Sequence, residues 1–328
     1  MKNRVGHLIF ILIAIVLAVV FIGLTIKQTD FNVLKNAAAN ANYFWFFASM
    51  AISIVAYWFR ASRWKLLLDP LGYPIPVKSG FWAISFAYFM NLTIPRSGEV
   101  ARATSLYKME NVPVDKSLGI ILLERVIDLF FLSLFFLLAL IFNAETLFSF
   151  FSFADTSSFG KMGIAAAVLF AVLLILWYSK GFLSRFSLFK KVESFLSGIF
   201  EGFKSILHLK KRTAFILYSV GIWICYFLMT YLVVFAFKET SHFGLAEGFF
   251  LIIAGALGMI LPAVGGLAYP YVISIAFAAI YITSGQSAEE GRVVGNYFGL
   301  MLYFAQIISI LTFGLPSIYY IAKIGKEK

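Results

Sequence analysis

Two short stretches carry ionisable residues at the edges of long apolar runs: Arg96, Glu99 and Arg102 in one, Glu124, Arg125 and Asp128 in the other. Ionisable side chains beside or within a bilayer are costly and tend to mark function. Glu99 and Arg102 are spaced i, i+3 and can pair on one helix face. Glu124 and Asp128 are spaced i, i+4, so two like charges meet there unless a cation lies between them. Arg96 or Arg102 is the candidate for that cation, and the spacing predicts a salt bridge from one of them to Glu124 or Asp128. The chemistry open to such a network is recognition of an anion, or a proton relay through the paired acids. No nucleophile–base signature, Walker motif or dinucleotide fingerprint occurs, so transport here would be passive or driven by an ion gradient.

The same stretches hold helix breakers. Asn91-Leu92-Thr93-Ile94-Pro95-Arg96-Ser97-Gly98-Glu99 ends one short apolar segment, and Leu261-Pro262-Ala263-Val264-Gly265-Gly266 ends another. Pro95 suits the first position of a helix through Arg96–Tyr107. The Gly265-Gly266 pair precedes a helix at 267–282. Both returning arms then aim a helix N-terminus, with its free N–H groups and positive dipole end, into the membrane, where an anion is favoured. With Arg96 and Arg102 supplying charge, and Gly265 and Gly266 allowing close backbone approach, the four form a candidate binding site for a phosphate-bearing substrate. Close helix packing is the competing role for the glycines.

The elements that must position these residues follow from composition. The chain has 328 residues, 61% hydrophobic and 13% charged, with a mean hydropathy of +0.90. That excludes a soluble domain and describes a polytopic helical membrane protein. The span from His7 to Ile26 has no small-residue cleavage site behind it and reads as a retained first helix. The net charge of +11 flanks the apolar spans, which points to positive-inside bias and anionic lipid rather than to nucleic acid. One cysteine, Cys225, cannot form an internal disulfide. The three histidines lie far apart, with no metal-ligand spacing, and no cofactor is implied.

Full spans are expected at about 7–26, 43–64, 118–142, 160–179, 213–237 and 293–322, each long enough for ~30 Å of hydrocarbon. Segments 79–94, 248–261 and 267–282 are shorter. With Lys2 and Arg4 inside, the second span ends inside at Arg60, Arg63 and Lys65. The basic loop 180–212 and the terminal Lys323, Lys326 and Lys328 also belong inside. This parity holds only if 79–94 enters and returns, and if 248–261 and 267–282 form the arms of a hairpin from the other side. Lys and Arg then fall outside only at Lys27, Lys35, Lys161, Lys238 and Arg292, with Arg125 inside a span. The halves 43–142 and 213–322 each read as span, broken hairpin and closing span with opposite orientation, the pattern of an inverted-topology repeat. Arg60, Arg63 and Trp64, with Trp58, read as an interfacial anchor. Segment 186–209 has helical periodicity, with Phe195, Leu196 and Phe203 opposite Lys190, Lys191 and Lys204. It is expected to lie flat on the inner leaflet.

Four blocks resemble a known family. They are Arg60-Ala-Ser-Arg63-Trp64, Pro95-Arg96-Ser97-Gly98-Glu99-Val100-Ala101-Arg102, Glu124-Arg125-Val126-Ile127-Asp128-Leu129 and Leu261-Pro262-Ala263-Val264-Gly265-Gly266-Leu267. In this order and spacing the chain, from about 5 to 322, is similar to the flippase-like transmembrane domain of the lysylphosphatidylglycerol synthase family. The resemblance implies movement of phospholipid between leaflets, associated with resistance to cationic peptides. Synthase members carry a soluble aminoacyl-transferase domain after the membrane part. This chain stops just past its last expected span, so it is expected not to make the lipid itself. Many relatives carry a Gly and then an acidic residue after the Gly-Gly-Leu turn, whereas this chain has Ala268-Tyr269-Pro270-Tyr271.

The reading is therefore an all-α integral inner-membrane protein, a single domain over 1–328, with six full spans and two opposed re-entrant hairpins. Both termini are cytoplasmic and its partners are phospholipids with anionic or zwitterionic heads. Arg96 and Arg102 would meet the headgroup, and Glu99, Glu124 and Asp128 would hold or exchange with them. A transporter of a small soluble anion and a membrane-embedded transferase are the alternatives.

Overall fold

The computed structural model describes residues 23, 29–94, 96–153, 211–261 and 266–327. The expected spans 7–26 and 160–179, the segment 186–209, Pro95 and residues 262–265 lie outside the described residues. Those described contain nine α-helices and no strand: α1 Phe31–Asn40, α2 Tyr43–Leu68, α3 Val77–Thr93, α4 Ser97–Glu110, α5 Val114–Phe153, α6 Arg212–Tyr231, α7 Leu245–Ile260, α8 Ala268–Thr283 and α9 Ala288–Glu327. Among the described residues, four helical stretches are long and apolar enough to cross a membrane: Tyr43–Leu71, Val114–Ser152, Arg212–Ala236 and Ala288–Gly325. At 1.5 Å per residue, α3, α7 and α8 reach only about 24–26 Å.

Local chemistry sets the ends. Asp30 caps α1 by accepting from the backbone N–H of Asn32 at 2.8 Å, and Asn42 caps α2 by accepting from Phe44 at 3.1 Å. Asn111 ends α4 in the left-handed region at φ 55°, just before Pro113 stops any continuation. The long α5 breaks at Asn143, whose φ of −152° and ψ of 47° are not helical. Past the break, Thr146 bonds to the Asn143 carboxamide at 2.5 Å and to Thr283 of α8 at 2.8 Å. The expected end of this span at 142 coincides with that break.

The two short-helix pairs are packed hairpins. In α3–α4 the turn closes through the backbone N–H of Ile94 donating to Met90 at 3.0 Å. The Gly98 N–H then donates to the Asn91 side chain at 2.8 Å. A Cβ at Gly98 would run into the Ala87 carbonyl oxygen, so only glycine lets α4 lie this close to α3. In α7–α8 a Cβ at Gly258 would come within 2.9 Å of Tyr269 Cα.

The last helix organises both. Gly291, Gly295 and Gly299 recur every fourth residue along α9 and face α8. Added Cβ atoms would approach the Phe277 carbonyl oxygen at 2.6 Å, Phe277 Cβ at 2.6 Å and Pro270 Cα at 3.0 Å. Small residues at i, i+4 let helices in membranes approach closely, where hydrophobic drive between them is weak. Further along α9, Gly314 abuts Phe89 of α3, Gly325 abuts Lys108 of α4, and Tyr320 stacks obliquely on Trp82 at 5.4 Å. Hairpin α7–α8 thus lies on the first half of α9 and hairpin α3–α4 on the second. Phe89 sits level with Gly314, and Gly266 comes within reach of Tyr303. Both tips therefore point toward the middle of α9 from opposite ends. The two marker positions are eleven residues apart, about 16 Å along the axis, and Ile94 closes about 7 Å of that.

Two apolar cores flank this spine. Trp64, Leu68, Ala103, Leu106, Met109, Ile120 and Ile127 join α2, α4 and α5. Phe135, Trp223, Phe250, Phe277 and Phe298 join α5 through α9.

Candidate functional site

The ionisable residues converge where α2, α4 and α5 meet. Burial of Ala103 and Leu106 against the first core turns Arg102 inward and leaves Glu99 half-exposed, since a three-residue step on a helix shifts the face only partly. Arg102 pairs with Glu124, and the two side chains are 4% and 0% exposed. Its guanidinium carbon lies 3.8 Å from the centre of the Trp64 ring, a cation–π contact. The predicted arginine-to-Glu124 bridge is therefore present, through Arg102.

The cation between the two acids of α5 is a different residue. Arg63 Nη2 lies 3.4 Å from Glu124 Oε1 and 3.3 Å from Asp128 Oδ1. Its side chain is fully buried and also faces Ser219 of α6 at 3.5 Å. At the edge, Arg125 reaches Glu99 at 3.1 Å and Asp128 at 3.5 Å. Arg125 and Glu99 are each 47% exposed, and Asp128 is 18% exposed. The network thus has a dry layer (Arg63, Glu124, Arg102) and an open rim (Arg125, Glu99), with Asp128 shared between them. Breaking a buried pair by removing one partner costs about 3–5 kcal/mol, whereas rim pairs contribute about 0–1.

Arg60 stands beside the dry layer. It donates to the hydroxyl of Tyr88 and to that of Tyr226 at 3.2 Å. The Arg60, Arg63, Trp64 group was expected to face headgroups as an anchor; that placement is corrected. Their residues are 7%, 0% and 0% exposed, inside the protein, while Trp58 is 47% exposed. The signal for this was present in α2. Ser53, Ala56, Tyr57, Arg60, Ala61, Trp64, Leu67 and Leu68 form one buried stripe at helical spacing, and the arginines ride on it.

Arg96 lies apart from the network. It is exposed at the hairpin turn, in the left-handed region at φ 60°, and forms no ion pair among the described residues. Gly266 sits at the other tip at φ 78°, a conformation that favours glycine. Gly265 lies outside the described residues. The described part of the second tip brings no charge to the network. No group of three or more His, Cys, Asp or Glu with metal-binding geometry occurs among the described residues.

Just beyond Asp128, an apolar cleft of about 360 Å³ opens between α5 and α7, lined by Leu129, Leu132, Phe136, Ile253 and Leu257, with Phe151 at one edge. Leu129, on the wall of this cleft, follows Asp128 of the rim in the chain.

Fold and site define the class: an all-α multi-pass membrane protein with a buried arginine–carboxylate cluster. The profile of the family described as Lysylphosphatidylglycerol synthase TM region matches residues 11–310. The chain belongs to that family, which places it among membrane proteins of lipid-related function. Comparison with curated proteins and with solved structures found no match.

Proposed function

We propose that this protein moves a lipid with a phosphate head between the leaflets of the cell inner membrane. The reading is carried by one observation: the half-exposed rim formed by Arg125, Glu99 and Asp128 adjoins the apolar cleft that starts at Leu129. The head would pass along the charged layer while an acyl chain lies in the cleft. Glu124 and Asp128 hold the arginines without a lipid, and a phosphate competes for them as it passes. Arg102 is then released and recaptured, and Arg96 and Gly266 meet the head at the two hairpin tips. Because Arg63, Arg102 and Glu124 exchange one charged partner for another, the cost of placing these charges at this depth stays low.

In this reading α3–α4 and α7–α8 are re-entrant hairpins entering from opposite sides, which fits their short helices and their opposed approach to α9. The halves 43–142 and 213–322 are an inverted repeat, and both termini face the cytoplasm. Proteoliposomes with fluorescent phosphatidylglycerol in both leaflets, assayed by dithionite quenching, test the reading. Native protein should expose the inner-leaflet label, and Arg96→Ala and Glu124→Gln should slow that exposure. Equal rates in native, variant and protein-free vesicles would remove the proposal.

A further inference from the structure

Around the cluster, four arginines (Arg60, Arg63, Arg102 and Arg125) face three carboxylates (Glu99, Glu124 and Asp128). Each carboxylate pairs with Arg63, Arg102 or Arg125. Arg60 pairs with none among the described residues, although Glu124 and Asp128 lie within electrostatic range of it. It is 7% exposed, it donates to two neutral phenol hydroxyls, and its Nε–H has no acceptor among the described residues. A buried cation with only neutral partners is an expensive arrangement.

Its surroundings are arranged as donors. The hydroxyls of Tyr88 and Tyr226 accept from Arg60 and stand 3.4 Å apart. One O–H can therefore donate to the other, and the second remains free to donate onward. The rings are fixed: Tyr57 stacks on Tyr88 at 4.8 Å, and Trp223 meets Tyr226 edge-on at 5.8 Å. Both tyrosines are only partly buried, so Arg60 lies one side chain in from the surface. A guanidinium edge next to a phenolic O–H matches a group with several anionic oxygens and no protons to donate.

We propose that Arg60, with the hydroxyls of Tyr88 and Tyr226, is the phosphate-recognition site, and that it takes the phosphodiester of a lipid head as its counter-anion. This rests on the translocation reading and sharpens it. The first contact moves from Arg102, already neutralised by Glu124, to the arginine that lacks a carboxylate.

The test uses the full chain in detergent, with binding read by native mass spectrometry. Three probes separate the sources of phosphate: dioleoyl phosphatidylglycerol, diolein (the same tails without phosphate) and sn-glycerol 3-phosphate (phosphate without tails). Native protein should bind phosphatidylglycerol at least tenfold more tightly than either other probe. Arg60→Gln should lose at least tenfold for phosphatidylglycerol, and Arg60→Lys should recover part of it. The Tyr88→Phe/Tyr226→Phe double variant keeps the charge and the packing and removes only the hydroxyls. It should lose several-fold, and it decides the question if the Arg60 variants fail to elute as single species on gel filtration.

Native-like phosphatidylglycerol binding in the folded variants overturns the site. Arg60-dependent binding of glycerol phosphate as tight as that of phosphatidylglycerol overturns a lipid as the occupant. Lipid movement assayed in parallel keeps the two claims apart. Arg60-dependent binding without movement sinks translocation and supports the site; movement undiminished by Arg60→Gln sinks the site and supports translocation.

Discussion

Hairpins α3–α4 and α7–α8 share a shape and differ in content. Both are pairs of short helices, none of them among the four described stretches long and apolar enough to cross a membrane, and both tips point at the middle of α9. The first carries Glu99 and Arg102 into an ion-pair network with α2 and α5. The second is seated by glycines: Gly258 lets α7 meet α8, and Gly291, Gly295 and Gly299 let α8 meet α9. The first hairpin adds ion pairs to close glycine contacts of its own, whereas close glycine contacts seat the second. Ion pairs can exchange partners when an anion arrives, whereas close glycine contacts have no alternative partner. In the proposed function, the first hairpin is therefore the element that responds to the lipid head, and the second is a fixed wall.

The largest effect should come from Glu124→Ala, which leaves Arg63 and Arg102 buried without their shared partner. A loss of about 3–5 kcal/mol is expected, read as a fall in the unfolding midpoint in detergent. A change under 1 kcal/mol would mean that charge does not hold the first hairpin.

Gly295→Ala is expected to cost about 1–3 kcal/mol by overpacking, because the new methyl meets Phe277 Cβ at 2.6 Å. Lipid movement should fall only in proportion to the folded fraction. A specific loss of movement in fully folded protein would break the view of the second hairpin as a passive wall.

Arg125→Gln removes the rim pairs with Glu99 and Asp128. It should shift stability by about 1 kcal/mol or less, yet alter the salt dependence of lipid movement between 50 and 500 mM NaCl. Identical salt profiles in the two proteins would separate the rim from the route.

Arg96→Gly should have the smallest effect on stability, within about 1 kcal/mol of native, because glycine relieves the left-handed backbone at this position. If the tip meets headgroups, the rate of lipid movement falls while the unfolding midpoint holds.

Part of this arrangement is legible in the residues alone. Short apolar segments ended by Pro or Gly-Gly announce two hairpins, because helices of that length leave hydrocarbon unspanned. The i, i+4 spacing of Glu124 and Asp128 demands a cation, and Arg102 answers for one of them. Arg63 was not legible as the other. An arginine-tryptophan cluster at the end of a span has the composition of an interfacial anchor, and only the neighbours of α2 reveal that this cluster points inward. Nor does the first expected partner, Arg96, reach the acids. It sits in the turn, where the chain reverses and its side chain faces outward.

Hydrophobicity, basic-loop asymmetry and helix-breaking residues determined that this is a helical membrane protein with two interrupted hairpins, because those properties act over a few residues and need no partner. Which arginine neutralises which acid, and that Arg60 hydrogen-bonds to phenols and forms no ion pair among the described residues, was decided by tertiary packing. Electrostatic pairing depends on distances between helices far apart in the chain, and the rotation of α2, seated against α3 and α6, sets those distances.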